Sequence, residues 1–191
     1  MDTRDVILDA AAGVIRHRGM AKTTTREIAR EAGYSEATLY KYFENKVDLL
    51  VSVLRERSPA MAQLVRATGR DDDDLVEGLT AIAEAAIAFY TDSFPMLASI
   101  FSEPTILAAH TAALRQVGAG PHKVNEEVVD YLRRQQANGS VGPKADLDAA
   151  AALLVGACFQ HAFLGHMQWS ERRRDDQAAK AFAELVATSL R

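Results

Sequence analysis

The chain has too few cysteines for a disulfide framework. Among its 191 residues there is one, Cys158, and a lone thiol fits a reducing compartment. Excess positive charge is missing too. The formal net charge is −4, which argues against a non-specific polyanion binder but leaves room for a local basic face. Eight Lys/Arg stand against seven Asp/Glu in residues 1–46, and fourteen against nineteen in residues 47–191. No uninterrupted apolar run of about 18 residues exists, so no membrane span is expected. The opening "MDTRDVILDA" puts acids among its apolar positions and lacks the basic-then-apolar order of a secretion signal. A cytoplasmic location is expected. There is no Gly-rich phosphate loop and no nucleophile elbow, and no period-two alternation marks a strand. Cys158 and His161 are i, i+3 and can face one ion, but no third ligand is apparent. Neither an enzyme nor a bound metal or cofactor is expected.

What is present is helical periodicity. At 48% hydrophobic and 25% charged, the composition is ordinary for a globular protein. Val6, Ile7, Ala10, Ala11, Val14 and Ile15 fall at amphipathic spacing, with Gly19 as a stop. Thr24 and Glu27 have capping-box spacing ahead of a short helix that turns Ile28 and Ala29 inward, and Gly33 ends it. Ser35 caps a third helix, in which Leu39 and Phe43 face the core one turn apart. Asn45 caps a fourth, with Val47, Leu50, Val51 and Leu54 as its apolar stripe. Two short helices joined by about three residues containing Gly form a helix-turn-helix, and Ala29 lets them cross closely.

"EAGYSEATLYKYFENK", residues 31–46, then presents an outward stripe of Ala37, Tyr40, Lys41 and Glu44, flanked by Thr38 and Tyr42. Hydroxyls and an ammonium group donate to phosphate oxygens, and rings lie against sugars. Small residues at the start of such a helix suit entry into a major groove. A plain helical hairpin with Tyr40 and Tyr42 half-buried at a domain boundary is the alternative reading of the same pattern.

"TTTREIAREAGYSEATLYKYFENKVDLL", residues 23–50, resembles the DNA-binding signature of tetracycline-repressor (TetR) family regulators. The shared features are a Thr opening the second helix, Ile-Ala inside it, Ala-Gly and Ser at the turn, Thr-Leu-Tyr, an aromatic-Phe pair and a Lys. The resemblance implies an all-α homodimer in which a variable ligand-binding domain relieves repression when a small molecule binds. It places Thr24, Thr25 and Arg26 where the second helix meets phosphate. Ser35, Glu36, Ala37 and Thr38 stand where the recognition helix meets base edges. Tyr40, Tyr42 and Lys46 stand where the backbone is gripped. Ala37 replaces a common glycine, and Glu36 either accepts from a cytosine amino group or favours the helix N-terminus. The expected division is a DNA-binding domain over residues 1–46 and a ligand-binding and dimerisation domain over residues 47–191. The helix from about Lys46, kinked or interrupted at Pro59, is either the connector or ends at a plain boundary before a following loop.

Beyond residue 70, the acidic run Asp71–Asp74 suits a helix N-terminus. It precedes an almost wholly apolar or small helix, buried on more than one side. Pro95 and Pro104 are each expected at a first helical position. Val124, Val128, Tyr131 and Leu132 mark a regular amphipathic helix that stops at Gly139. Six of the seven phenylalanines follow residue 88. Phe89, Tyr90, Phe94, Met96, Phe101, Phe159, Phe163, Met167 and Trp169 either fill a core or line an apolar pocket. His110, Gln160, His161 and His166 would be its polar groups. Ala149, Ala152 and Gly156 share one face of the penultimate helix, where close approach of another helix would offset the cost of Gly156. Phe182, Leu185 and Val186 stripe the last helix. These stripes either pack as four helices across a two-fold axis or face their own subunit's core; two heads on a symmetric dimer imply a near-palindromic operator. A DNA-binding regulator governed by a protein partner, and a helical enzyme, are the other function classes.

Overall fold

The computed structural model describes residues 2–18, 23–57, 59–69, 74–101, 104–116, 118, 120–168 and 171–191. Among these it is helical without strands: α1 Thr3–Arg18, α2 Thr25–Glu31, α3 Glu36–Leu39, α4 Lys46–Arg57, α5 Pro59–Thr68, α6 Leu75–Phe101, α7 Pro104–Gln116, α8 His122–Ala137, α9 Leu147–His166 and α10 Asp175–Ser189. The chain gathers into two compact units. One is Met1–Ser58 with Pro95–Gly120, the other Pro59–Phe94 with Pro121–Arg191. The expectations placed on Gly19, Asp71, Asp72, Asp73 and Trp169, and on the side chains of Leu54 and Met96, lie outside the described residues.

In the first unit the helix ends are fixed by their own side chains. Thr24 and Glu27 form the reciprocal capping box that satisfies amides at the start of α2. Gly33, at φ +74°, makes the left-handed turn that a Cβ would strain. Ser35 accepts from the Thr38 amide to start α3, and Asn45 accepts from the Asp48 amide at 2.9 Å to start α4. Ile7, Leu8, Ala11, Ile28, Leu39, Phe43, Leu49 and Val53 close one apolar cluster. Arg4 makes two hydrogen bonds to Glu56, at 2.7 and 2.9 Å, and lies over the Phe43 ring. Arg57 reaches Asp9 and Asp5 at 2.7 and 2.5 Å. These pairs tie α1 to the far end of α4.

α4 is buried on two sides. Leu49 and Val53 face the α1–α3 cluster. Leu50 packs instead with Ile100, Leu107 and Ile15. Successive helical residues are about 100° apart, so one helix serves both clusters.

The second unit combines large buried side chains with alanine faces. Val124, Val128, Tyr131 and Leu132 of α8 are buried. α9 buries Ala150, Ala151, Leu154, Val155 and Cys158, and α10 buries Ala178, Ala179, Ala183, Val186 and Ala187. Alanine faces let helix axes approach closely. Asp146 caps α9, Asp74 caps α6, and Gly139 ends α8 at φ +88°. A guanidinium N–H of Arg134 donates to the Thr68 carbonyl, tying α8 to α5. α9 is long and apolar enough to cross a membrane by length and composition, but here it packs against α8 and α10.

Proline behaves in two ways. Pro59 and Pro104 open α5 and α7, where a missing N–H costs nothing. Pro95 does not open a helix, contrary to the expectation; it lies inside α6. A proline there leaves the carbonyl four residues earlier without its amide partner. That carbonyl belongs to Thr91, and His166 Nε2 lies 2.9 Å from it. A carbonyl oxygen only accepts, so His166 carries its proton on Nε2 and replaces the lost donor.

Candidate DNA-binding face and effector region

The recognition surface is built outward from Leu39 and Phe43, which are 0% and 2% exposed. With those two side chains anchored, Ser35, Ala37, Tyr40, Lys41 and Tyr42 are exposed and Thr38 is half-exposed. α3 itself is one turn long, and Tyr40 to Tyr42 follow in the turn after it. Ser35 Oγ and Thr38 Oγ1 are 2.9 Å apart, so the two hydroxyls share one hydrogen bond. Lys46 begins α4 half-exposed, and Arg26 is exposed on α2. Tyr34 is a further exposed ring, in the turn between the helices; the sequence reading did not single it out.

Four expected DNA contacts, Thr24, Thr25, Glu36 and Tyr40, have other partners. Thr24 is committed to its capping box, its hydroxyl within 3.1 Å of Glu27 Oε2. Thr25 is a correction: it is 8% exposed, and its Oγ1 donates to Glu36 Oε1 at 2.5 Å. Glu36 is thereby turned towards α2, away from the role of accepting from a base. Tyr40 donates to the same Thr25 oxygen at 3.3 Å. These bonds span the turn and lock α3 onto α2.

In the second unit the aromatic residues form a connected chain. Tyr90 meets Phe89 and Phe159 edge-on, both at 5.2 Å. Phe94 lies 5.5 Å from both Phe159 and Phe163 and stacks on His166 at 5.0 Å. Phe89 and Tyr90 are buried, while Phe159 and Phe163 are 39% and 40% exposed; the chain of rings therefore runs from core to surface. Burial pushes the Tyr90 hydroxyl and the Cys158 thiol each up to about 12, so both stay protonated at neutral pH. Cys158 donates to the Ala83 carbonyl. His161 contacts Asp175 Oδ1 at 2.9 Å and Arg172 at 2.7 Å. Burial alone would raise Asp175, but hydrogen bonds from Arg172 and His161 hold its carboxyl below the usual range. Among the described residues no three metal-ligating side chains converge. Two open clefts lie elsewhere. One, of about 500 Å³, is lined by Arg172, Arg174, Asp175 and Asp176. The other, of about 600 Å³, lies between α5 and α6 and is lined by Gln63, Arg66, Ala67, Ala81, Glu84 and Ala85.

Phe101 and His110 belong to the first unit. Phe101 is 66% exposed at the end of α6. His110 is buried on α7, its Nδ1 has no hydrogen-bond partner among the described residues, and burial lowers its pKa.

Of the expected dimer face, Ala149, Ala152 and Gly156 are exposed on α9. Among the described residues, a Cβ at Gly156 would meet nothing within 4 Å. Leu153, beside them, is 66% exposed. On α10, Phe182 is half-buried against His161. Val186 is a correction: at 5% exposure it belongs to its own protomer's core. Its neighbour Leu185, 73% exposed, points outward instead.

Residues 7–53, which contain this helix-turn-helix, match the family described as bacterial regulatory proteins of the tetR family. The transcriptional regulator BetI of Agrobacterium fabrum is 32% identical over 81% of this chain and 70% of its own. In fold, a TetR-family regulator from Mesorhizobium loti aligns over 97% of this chain and 95% of its own, with a TM-score of 0.76 and 20% identity. The Bacillus subtilis regulator FadR, solved with stearoyl-CoA, aligns over 98% of this chain and 99% of its own, with a TM-score of 0.65 and 19% identity. By its head, its fold and its relatives, this chain belongs to the TetR family of DNA-binding transcriptional regulators.

Proposed function

We propose that the protein is a cytoplasmic homodimeric repressor that leaves a near-palindromic operator when a small apolar or aromatic molecule binds its C-terminal helices. The observation that carries the DNA side is the exposed set Ser35, Ala37, Thr38, Lys41 and Tyr42, held rigid by buried Leu39 and Phe43. In this reading Ala37 and Thr38 meet base edges, while Arg26, Lys41, Tyr42 and Lys46 hold phosphates. The ring chain Phe89, Tyr90, Phe94, Phe159 and Phe163 supports an apolar effector. So does the acyl-CoA bound by FadR, a protein of similar fold. The exposed face of Ala149, Ala152, Leu153, Gly156 and Leu185 supports two-fold packing of α9 and α10. The protein performs no catalysis in this reading and needs no metal.

One head makes few base contacts, so binding needs two heads on two half-sites. Selection from a pool of random-sequence duplexes should therefore return an inverted repeat. Gly156→Glu, placed in open space, should give a folded monomer that no longer binds the selected duplex at concentrations where the parent does. A dimeric Gly156→Glu protein would move the interface off α9. Failure of the parent to select any duplex at low salt would remove the DNA-binding reading itself.

A further inference from the structure

The hydrogen bonds that lock α3 onto α2 also have a direction, and the direction reaches the DNA face. A threonine hydroxyl has one hydrogen to give, and a carboxylate only accepts. Thr25 Oγ1 lies 2.5 Å from Glu36 Oε1, so between these two the hydroxyl donates and the carboxylate accepts. Its single hydrogen is thereby committed. The Thr25 oxygen can then only accept from Tyr40, which sits 3.3 Å away. The Tyr40 hydrogen points inward, and what the half-exposed Tyr40 (46%) offers outward is a pair of oxygen lone pairs.

Phosphate oxygens are acceptors as well, so a Tyr40 oxygen in this state has nothing to donate to them. The donors that DNA offers in the major groove are the amino groups of cytosine and adenine. We propose that Glu36 is a positioning residue for DNA reading: through Thr25 it fixes the hydrogen direction so that Tyr40 accepts from a cytosine or adenine amino group. Phosphate holding is left to Arg26, Lys41, Tyr42 and Lys46. The assignment rests on the DNA-binding reading and alters the role that family position alone gives Tyr40. It also accounts for an acidic side chain in the first turn of the recognition helix, because the Glu36 carboxylate is turned to Thr25.

Changing Glu36 to Gln tests the direction. A Gln amide can donate to the Thr25 oxygen. Thr25 is then free to donate to Tyr40, and Tyr40 to a phosphate. Parent, Y40F, E36Q, E36D and the Y40F/E36Q double variant are each put through selection from random-sequence duplexes. Binding is then measured on the parent's selected duplex and on each of its single-base-pair changes, with melting temperatures as the folding control. Y40F should lose about tenfold discrimination at one position per half-site, where the selected pair presents an amino group. E36Q should lose discrimination at that same position and bind random-sequence duplex more tightly. Adding Y40F to E36Q should remove that extra affinity. E36D keeps a carboxylate and should keep the parental preference. The proposal falls if Y40F weakens every sequence alike, which would make Tyr40 a phosphate donor. It falls if E36Q keeps the parental profile, and also if folded E36D loses the preference as E36Q does. A parent that selects no duplex fails at the DNA-binding reading, before any variant is compared.

Discussion

Phe43 and Leu39 fill the centre of the head with large side chains, and the polar groups around them have named partners across short spans. In the second unit the contacting faces of α9 and α10 are largely alanine: Ala150, Ala151, Ala178, Ala179, Ala183 and Ala187. Its chain of rings starts at buried Phe89 and Tyr90 and runs out to the surface at Phe159 and Phe163. The head is a jigsaw of unlike pieces, sensitive to anything removed. The C-terminal helices are close-packed smooth faces, sensitive to anything added. A surface that must read one DNA shape benefits from the first construction. Under the proposed function, a unit that receives an effector keeps part of its apolar area accessible.

This contrast sets the size of the expected effects. Phe43→Ala removes a fully buried ring and should destabilise by about 3–5 kcal/mol; denaturant unfolding measures it. A loss under about 1 kcal/mol would mean that the head core collapses around the gap. Ala183→Leu adds volume between α10 and its neighbours and should cost about 1–3 kcal/mol. A stable, fully folded Ala183→Leu protein would show slack in the second unit and undo the comparison there.

The smallest effect concerns His110, a buried imidazole whose Nδ1 has no partner among the described residues. Burial holds its pKa below the ordinary 6.5, so between that lowered value and 6.5 the unfolded chain binds the extra proton. Stability is then complete above pH 6.5, declines as pH falls below it, and levels off below the folded-state pKa. His110→Leu should flatten the decline in melting temperature on acidification relative to the parent. An identical pH slope in both proteins would mean that His110 does not titrate differently on folding.

The head was legible because its signals are local. Capping boxes, a glycine turn and a four-residue apolar period are read within a dozen positions, and each depends on residue types with narrow uses. The misreadings have a common cause in distance. Pro95 obeys the rule for helix starts until His166, far along the chain, supplies a substitute donor for Thr91. Thr25 and Glu36 each look like DNA contacts, and only the fold shows that they satisfy one another. Leu185 and Val186 are neighbours of like chemistry, but about 100° of rotation separates their faces, and alanine-rich periodicity gives no phase to tell which turns inward. The aromatic residues were found, but their exposure depends on how α6 and α9 meet.

The two-sided burial of α4 has a consequence for building hybrids. A DNA-reading module is often pictured as portable, to be grafted from one regulator to another at the end of its motif. Here a graft cut at residue 46 would leave Leu49 and Val53 behind in the donor's remaining chain, along with Glu56 and Arg57, which tie α4 to α1. The donor head would arrive with a hole in its centre. A graft cut after residue 57 carries those groups, but it also carries Leu50, which must then fit a foreign Ile100 and Leu107. The transplantable piece is therefore longer than the motif that identifies it, and its last helix has to be matched to host as well as donor.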